Sequence, residues 1–491
     1  MVNKLILASI TVYILLFLYF YPPFYTTLDE NNYIRSAYLI QEGSLFIEEQ
    51  TYKYGFISNG ESYVPLSFGL PAIILPFTLL SWKAVFLSGL LTHILATILF
   101  YKLLIKHNLN PNNTLLYLFF PYFFYYSTTL FPDFFSAFFI LAGFYFYNLE
   151  NKKNNVVSGA FFGFACILKY TNILAFLPFA IVSVIKNQSR VGYLLLGFLP
   201  FAFLILTINQ NYYGGWMTTG YALVDSDVSF EADYTLDQTI PLSTFSLGAY
   251  NEYIPFISFR LLIIYPLMLL ALFLYRGSGR TEIILTGILY LAFFGARSTQ
   301  SGWGFNLDPS TLTRYFLPIL PLLIFAYIPF YEKILKKIKI RKQQILYPSS
   351  ILLVIGGAFI LNIQHDRLEI QESISQEIYL NTEDTALLIG ESDMIRYVME
   401  PLGNRRFLGS WEDFAPFIDD KTYIVHKRYQ EETSSHVEMQ FRKMTEDAIK
   451  KYDTTLIWEK EYFDRSRFFA SRPFILEIYK IENDFILEDS N

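Results

Sequence analysis

Cysteine is nearly absent: Cys166 is the one cysteine in 491 residues, and it lies inside an apolar run. An intrachain disulfide is excluded, and cysteine carries no signal about redox compartment. Charge is scarce too. Asp, Glu, Lys and Arg make up 17% of the chain, against about a quarter in an ordinary soluble domain. With 53% hydrophobic residues, 19% aromatics and a mean hydropathy of +0.32, this composition excludes a wholly soluble globular protein. The shortage of charge is uneven. As far as about Asn362 the charges form short clusters between long apolar runs, and from Gln364 onward they are dense. The shift predicts a membrane domain over 1–362 and a soluble domain over 363–491. The net charge of −6 averages these unlike parts and identifies no partner. No soluble face gathers the basic residues, which argues against nucleic acid. No small-residue cleavage site follows the first apolar run; Tyr21-Pro22-Pro23-Phe24 does, so the run reads as an uncleaved first span.

What is abundant is apolar sequence. A helix needs about 20 apolar residues to cross the hydrocarbon core. Candidate runs lie near 4–21, 83–105, 114–131, 133–149, 156–168, 171–186, 191–208, 258–275, 281–297, 315–331 and 345–362, predicting about eleven transmembrane helices. Basic residues orient them. With the N-terminus cytoplasmic, the inner loops hold Lys102 and Lys106, Lys152 and Lys153, Lys186 and Arg190, Arg276 and Arg280, and the cluster Lys333 to Lys342. The outer loops hold acids, among them Asp29, Glu30, Asp133, Asp225 and Asp308. The alternation persists through the last span, so 363–491 is predicted to be extracytoplasmic. Within it Thr385–Gly390, Tyr423–His426 and Phe474–Tyr479 read as strands and Ser434–Lys451 as an amphipathic helix, a small α/β domain. Two outer loops, about 22–82 and 209–257, are long, and such loops are usually functional or disordered. Their aromatics and apolar stretches predict order, with a helix over Asn32–Glu42.

Chemistry-bearing residues cluster at the outer ends. Asp29-Glu30 follows the first span; it reads as a solvated loop charge, or as a general base or metal ligand. Asp133, in Phe131-Pro132-Asp133, reads as a helix N-cap or as a site acid. Lys169 reads as a lysine snorkelling to the interface or as a holder of a lipid phosphate. Arg297 and Arg314 are outer cations, suited to phosphate or to pairing with Asp308 or Glu30. Acids to activate a hydroxyl, with cations to hold a phosphate, suggest group transfer from a lipid phosphate.

The order of motifs resembles the GT-C superfamily of integral-membrane glycosyltransferases, of the protein O-mannosyltransferase and lipid A aminoarabinose transferase type. The resemblance rests on Asp29-Glu30, on Gly60, Tyr63, Pro65, Leu66 and Gly69 to Pro71, and on Pro132-Asp133. It rests also on Gly159, Gly163 and Leu168 to Thr171, on Asn211 to Gly214 with Thr219 to Tyr221, and on Arg314 to Pro318. It covers most of residues 1–362. It implies a GT-C-like fold, a sugar donor linked to polyprenyl or dolichyl phosphate, and inversion at the anomeric carbon. Asp29 would be the general base, Glu30 its support or a metal ligand, and Asp133 the second acid. Lys169, Arg297, Arg314 and Tyr315 would hold the donor phosphate, and Tyr63, Tyr170 and Tyr221 would line the substrate site. A divalent metal, magnesium or manganese on Asp29 and Asp133, stays open. The acceptor, a glycan, lipid or protein, is unspecified. Val64 departs from the family, which often has a charged residue before the Pro-Leu step. The competing classes are a lipid or sugar transporter, against which stands the absence of midplane charges and repeated halves, and a non-catalytic lipid-binding relative.

Overall fold

The computed structural model describes residues 3–43, 46–47, 56–58, 61–63, 68–186, 188–213, 215–217, 272–296, 312–337, 342–390, 406–409, 421–429, 436–467 and 470–486. Contacts divide the chain into two units. The first is Met1–Tyr21 with Pro65–Leu361, and the second is Pro22–Val64 with Asn362–Asn491.

The first unit is helical. Helix α1 (Lys4–Tyr19) starts where the Asn3 side chain accepts the Leu5 N–H. Its inner stripe, Ile6, Ile10, Tyr13 and Phe17, recurs at helical spacing and packs with Tyr101, Leu115, Leu118 and Phe124. Its other face exposes Leu7, Leu15 and Leu18. Apolar residues on both faces suit a lipid environment. The second unit contributes α2 (Leu28–Gln41). In the first unit follow α3 (Gly69–Thr78), α4 (Leu87–Lys106), α5 (Thr114–Leu118), α6 (Pro121–Ser127), α7 (Pro132–Tyr147), α8 (Lys152–Leu168), α9 (Ile173–Lys186) and α10 (Gln188–Tyr213). Then come α11 (Arg280–Ala296), α12 (Leu320–Lys337) and α13 (Lys342–Asn381), the last of which supplies residues to both units. Among the described residues, four helices are long and apolar enough to cross a membrane: Lys83–Lys106, Ser189–Tyr212, Arg314–Lys337 and Gln344–Asn381. A fifth is added if a bent pair is counted as one span.

That bent pair corrects one expected span. Residues 114–131 do not form a single helix: α5 stops at Leu118, α6 restarts at Pro121, and α6 meets α7 at 118°. Pro121 has no N–H to continue α5. Ser127, Thr128 and Thr129 turn their hydroxyls back onto the carbonyls of Phe124, Tyr125 and Tyr126, competing with helix continuation. The apolar helix α3 falls within the expected loop 22–82. The expected span 258–275 lies almost wholly outside the described residues.

In the second unit, α2 covers most of the helix expected over Asn32–Glu42 and begins earlier, at Leu28. Strands β1 (Phe46–Ile47), β2 (Phe56–Ser58) and β3 (Glu61–Tyr63) form a small antiparallel sheet in the order β1-β3-β2. A larger sheet joins β4 (Leu387–Gly390), β5 (Arg406–Gly409), β6 (Thr422–Tyr429), β7 (Tyr452–Arg467) and β8 (Ala470–Ile486) in the order β5-β4-β6-β8-β7. Alternate residues face opposite layers. Leu388, Tyr423, Val425, Leu476 and Ile478 pack with Ile374 and Ile378 of α13. Ile389, Ile424 and Ile481 pack with Ala448 of α14 (His436–Lys451).

Candidate functional site

Two helix ends build the site of the first unit. Helix α7 opens on Pro132, whose missing N–H costs nothing at the first helical position. Phe131 holds the extended N-cap, so Asp133 is not the cap. It stands in the first turn, where the helix dipole favours a carboxylate. Helix α8 ends as Lys169 turns extended, with φ −159° and ψ 120°, and a 3-10 turn over Tyr170–Asn172 restarts the chain into α9. Gly69 at the start of α3 packs on this break: a Cβ there would stand 2.7 Å from Leu168 N. The Gly69-Leu70-Pro71 motif thus seats α3 beside the backbone that presents Lys169.

Lys169 Nζ lies 2.6 Å from Asp133 Oδ1, with side-chain exposures of 23% and 4%. The ammonium sits 4.2 Å from the centre of the Tyr315 ring, which stacks on Phe294 at 5.1 Å and 5°. From the same 3-10 turn, Leu312–Ile319, Arg314 lays its guanidinium 4.8 Å from Phe131 and 5.2 Å from Tyr315, and Nη2 donates to Tyr315 Oη at 3.4 Å. Each cation over a ring is held by about 0.5–2 kcal/mol. Two positive groups less one negative leave one net positive charge, the sign that attracts a phosphate.

Of the residues singled out in the sequence, Asp133, Lys169, Arg314 and Tyr315 come together here. Tyr170 is next in the chain to Lys169, but its hydroxyl donates to Asn209 Oδ1 at 3.4 Å. Asp29 and Glu30 belong to the second unit, in the first turn of α2. Glu30 is fully buried, and its carboxylate accepts the Thr26 N–H at 2.8 Å and the Thr26 hydroxyl. It reaches back as in a capping box, so it fixes the entry to α2. Asp29 is half-buried. The backbone of Tyr63 lies in β3, opposite Phe46 and Phe56. Tyr221 and Arg297 lie outside the described residues, as does Asp308, the alternative partner for Arg314. Sequence reasoning missed Phe131 and Phe294 as ring walls, and Asn172, Ser136 and Tyr290 beneath the ion pair. An asparagine closing Lys169-Tyr170-Thr171-Asn172 in so apolar a stretch was the available signal.

Among the described residues no three His, Cys, Asp or Glu side chains converge as a metal set. The Asp133 carboxylate is engaged by an ammonium, so this cluster does not fit a divalent metal. Another buried acid of the first unit, Glu282 of α11, lies at the other end of α7. It accepts from Tyr147 Oη at 3.1 Å and meets Lys186 Nζ at 3.5 Å. Arg190 donates there to the Tyr147 carbonyl and to Asn155 Oδ1, so these groups tie helix ends together.

No protein-family model and no curated protein sequence matches the chain. Solved structures do. The crystal structure of ArnT from Cupriavidus metallidurans bound to undecaprenyl phosphate superposes with a TM-score of 0.61. The match covers 97% of this chain and 98% of that one, at 11% identity. The apo form of the same ArnT gives a TM-score of 0.59 over 96% and 97%, also at 11% identity. The chain has the ArnT fold. The motif order implied a fold of this type. Near-complete coverage of both chains means that the ArnT likeness extends through the C-terminal sheet as well as the helices.

Proposed function

We propose that the protein is an inverting glycosyltransferase that moves a sugar from a polyprenyl- or dolichyl-phosphate donor to an acceptor on the outer face of the membrane. The observation that carries this reading is the cluster of Lys169, Arg314 and Tyr315 against Asp133, in a fold whose ArnT counterpart binds undecaprenyl phosphate. The arrangement proposed is about eleven spans, the broken run 114–131 counted among them, with a cytoplasmic N-terminus, a membrane domain over 1–362 and an extracytoplasmic domain over 363–491. The transferred sugar is a hexose or pentose derivative.

In the proposed reaction an acceptor hydroxyl oxygen attacks the anomeric carbon from the face opposite the phosphate. The new C–O bond forms as the sugar–phosphate C–O bond breaks, and the lipid phosphate leaves with the electron pair. The acceptor's proton passes to Asp29, with Glu30 holding the start of α2 in place. The leaving phosphate gains a negative charge, which fixed cations stabilise most in a water-poor setting. Lys169 and Arg314 fill that role, with Arg297 a further phosphate ligand and Tyr63, Tyr170 and Tyr221 lining the substrate. Asp133 holds the Lys169 ammonium in place through their ion pair.

The test is a transfer assay with purified protein in lipid and a panel of polyprenyl-phosphate sugars, wild type beside Asp29→Asn, with and without magnesium or manganese. The expected result is donor consumption by wild type and loss of transfer by a variant that still inserts. Unchanged transfer by Asp29→Asn would remove its role as base. Stable donor binding with no turnover by wild type would favour the lipid-binding or transport classes.

A further inference from the structure

Asn172 grips the residue that presents the candidate phosphate-binding ammonium. Its backbone N–H donates to the Lys169 carbonyl at 2.9 Å. Its side-chain Nδ2 donates to the Ala165 carbonyl at 2.7 Å, the same oxygen that accepts the Lys169 N–H at 3.0 Å. A carbonyl has two lone pairs, so one oxygen can hold both. The second Nδ2 hydrogen goes to Ser136 Oγ at 2.7 Å, one turn along α7 from Asp133. The hydroxyl of Tyr290 on α11 donates to Oδ1 at 2.9 Å. Ala165 O can only accept, which fixes the amide orientation. Both donors and the carbonyl oxygen of the amide are used, and Asn172, Ser136 and Tyr290 are all buried. One residue therefore holds the backbone on both sides of Lys169, and its side chain ties the end of α8 to the helix that carries Asp133.

We infer that Asn172 is a positioning residue for phosphate recognition: it holds Lys169 and Asp133 in the geometry in which the lysine meets the lipid phosphate. The inference rests on the proposed role of Lys169. At the helix break the Lys169 N–H closes the last hydrogen bond of α8 onto the Ala165 carbonyl, and Asn172 Nδ2 shares that oxygen, so the amide braces the bond that ends the helix. A supporting hydrogen bond of this kind acts on affinity through the group it orients, typically by about tenfold.

The test measures binding of undecaprenyl phosphate to the full-length protein by native mass spectrometry, with melting temperature recorded for each variant. Lys169→Gln, which keeps a hydrogen bond to Asp133 without the charge, first tests the role of the lysine. Asn172→Ala and Ser136→Ala are each expected to weaken binding, Asn172→Ala by about tenfold. Asn172→Ala placed in the Lys169→Gln background is expected to cost nothing further, because residues acting through one another are not additive. Asn172→Asp, which keeps the shape and loses both donors, is expected to weaken binding as Asn172→Ala does. Normal binding by Lys169→Gln would overturn the reading of Lys169 and this inference with it. Weak binding by Lys169→Gln with normal binding by folded Asn172→Ala would overturn the inference alone, as would fully additive losses in the double variant. Should Asn172→Ala not fold, unchanged affinity in Ser136→Ala would overturn it.

Discussion

Lys169 and Arg314 present their charges differently, and the difference predicts how each tolerates replacement. Lys169 is fixed by a carboxylate at 2.6 Å, whereas the Arg314 guanidinium stands 4.8 Å from the centre of the Phe131 ring and 5.2 Å from that of Tyr315. A lysine in place of Arg314 keeps the charge but loses the planar face and the fork of donors. Arg314→Lys is therefore expected to weaken undecaprenyl phosphate binding by roughly 0.5–2 kcal/mol while leaving the melting temperature near that of wild type. Binding equal to wild type would show that charge alone suffices there. For Asp133 the expectation is the reverse, because Lys169 is only partly buried and Asp133 almost wholly so. Lys169→Met would strand a buried carboxylate and lower stability more than Asp133→Asn, a difference that thermal melting reads directly. The sequence marked both residues. It could not show that they meet, because 36 residues and a helical turn-about separate them.

At the level of elements, glycine decides how closely helices approach. A Cβ at Gly159 would stand 1.9 Å from Leu194 O, and one at Gly197 would stand 1.9 Å from Val156 O. Helices α8 and α10 therefore touch backbone to backbone, as small residues allow in membranes. Gly159→Ala or Gly197→Ala is expected to cost about 1–3 kcal/mol by forcing the helices apart. Gly192, on α10 itself, has nothing within 4 Å of its would-be Cβ. Gly192→Ala should be neutral or stabilising by about 0.5–1 kcal/mol. Melting curves of the three variants in detergent settle the point, and equal behaviour at Gly192 and Gly197 would refute it. The Gly159 and Gly163 spacing was visible in the sequence as a motif, but the partner helix was not. Strand β7 was invisible for another reason. Its run Trp458-Glu459-Lys460-Glu461 is charged as sheet edges often are, and among the described residues β7 pairs only with β8. The pattern reads as polar surface rather than strand until the antiparallel partner is seen.

For the whole molecule, the proposed sidedness makes a prediction that needs no ligand. Cys166 is the only cysteine and is buried. In a Cys166→Ser background, a single cysteine at Asp453 is expected to react with an impermeant maleimide on intact cells. One placed at Lys106 is expected to react only after lysis. The opposite pattern would invert the topology, and reaction at both sites in intact cells would break the parity of the spans. Apolar runs, basic loops and the short strand runs of β4, β6 and β8 were readable along the chain, because they are patterns of neighbouring residues. So was the type of fold, from the order of its motifs. Tertiary structure alone decided that the run 114–131 breaks into two helices, that α3 seats on the Lys169 turn, and that Asp133, Lys169, Tyr315 and Arg314 share one place. The first group of features depends on neighbours within a few residues. The second depends on contacts between elements far apart in the chain, whose distances no local pattern records.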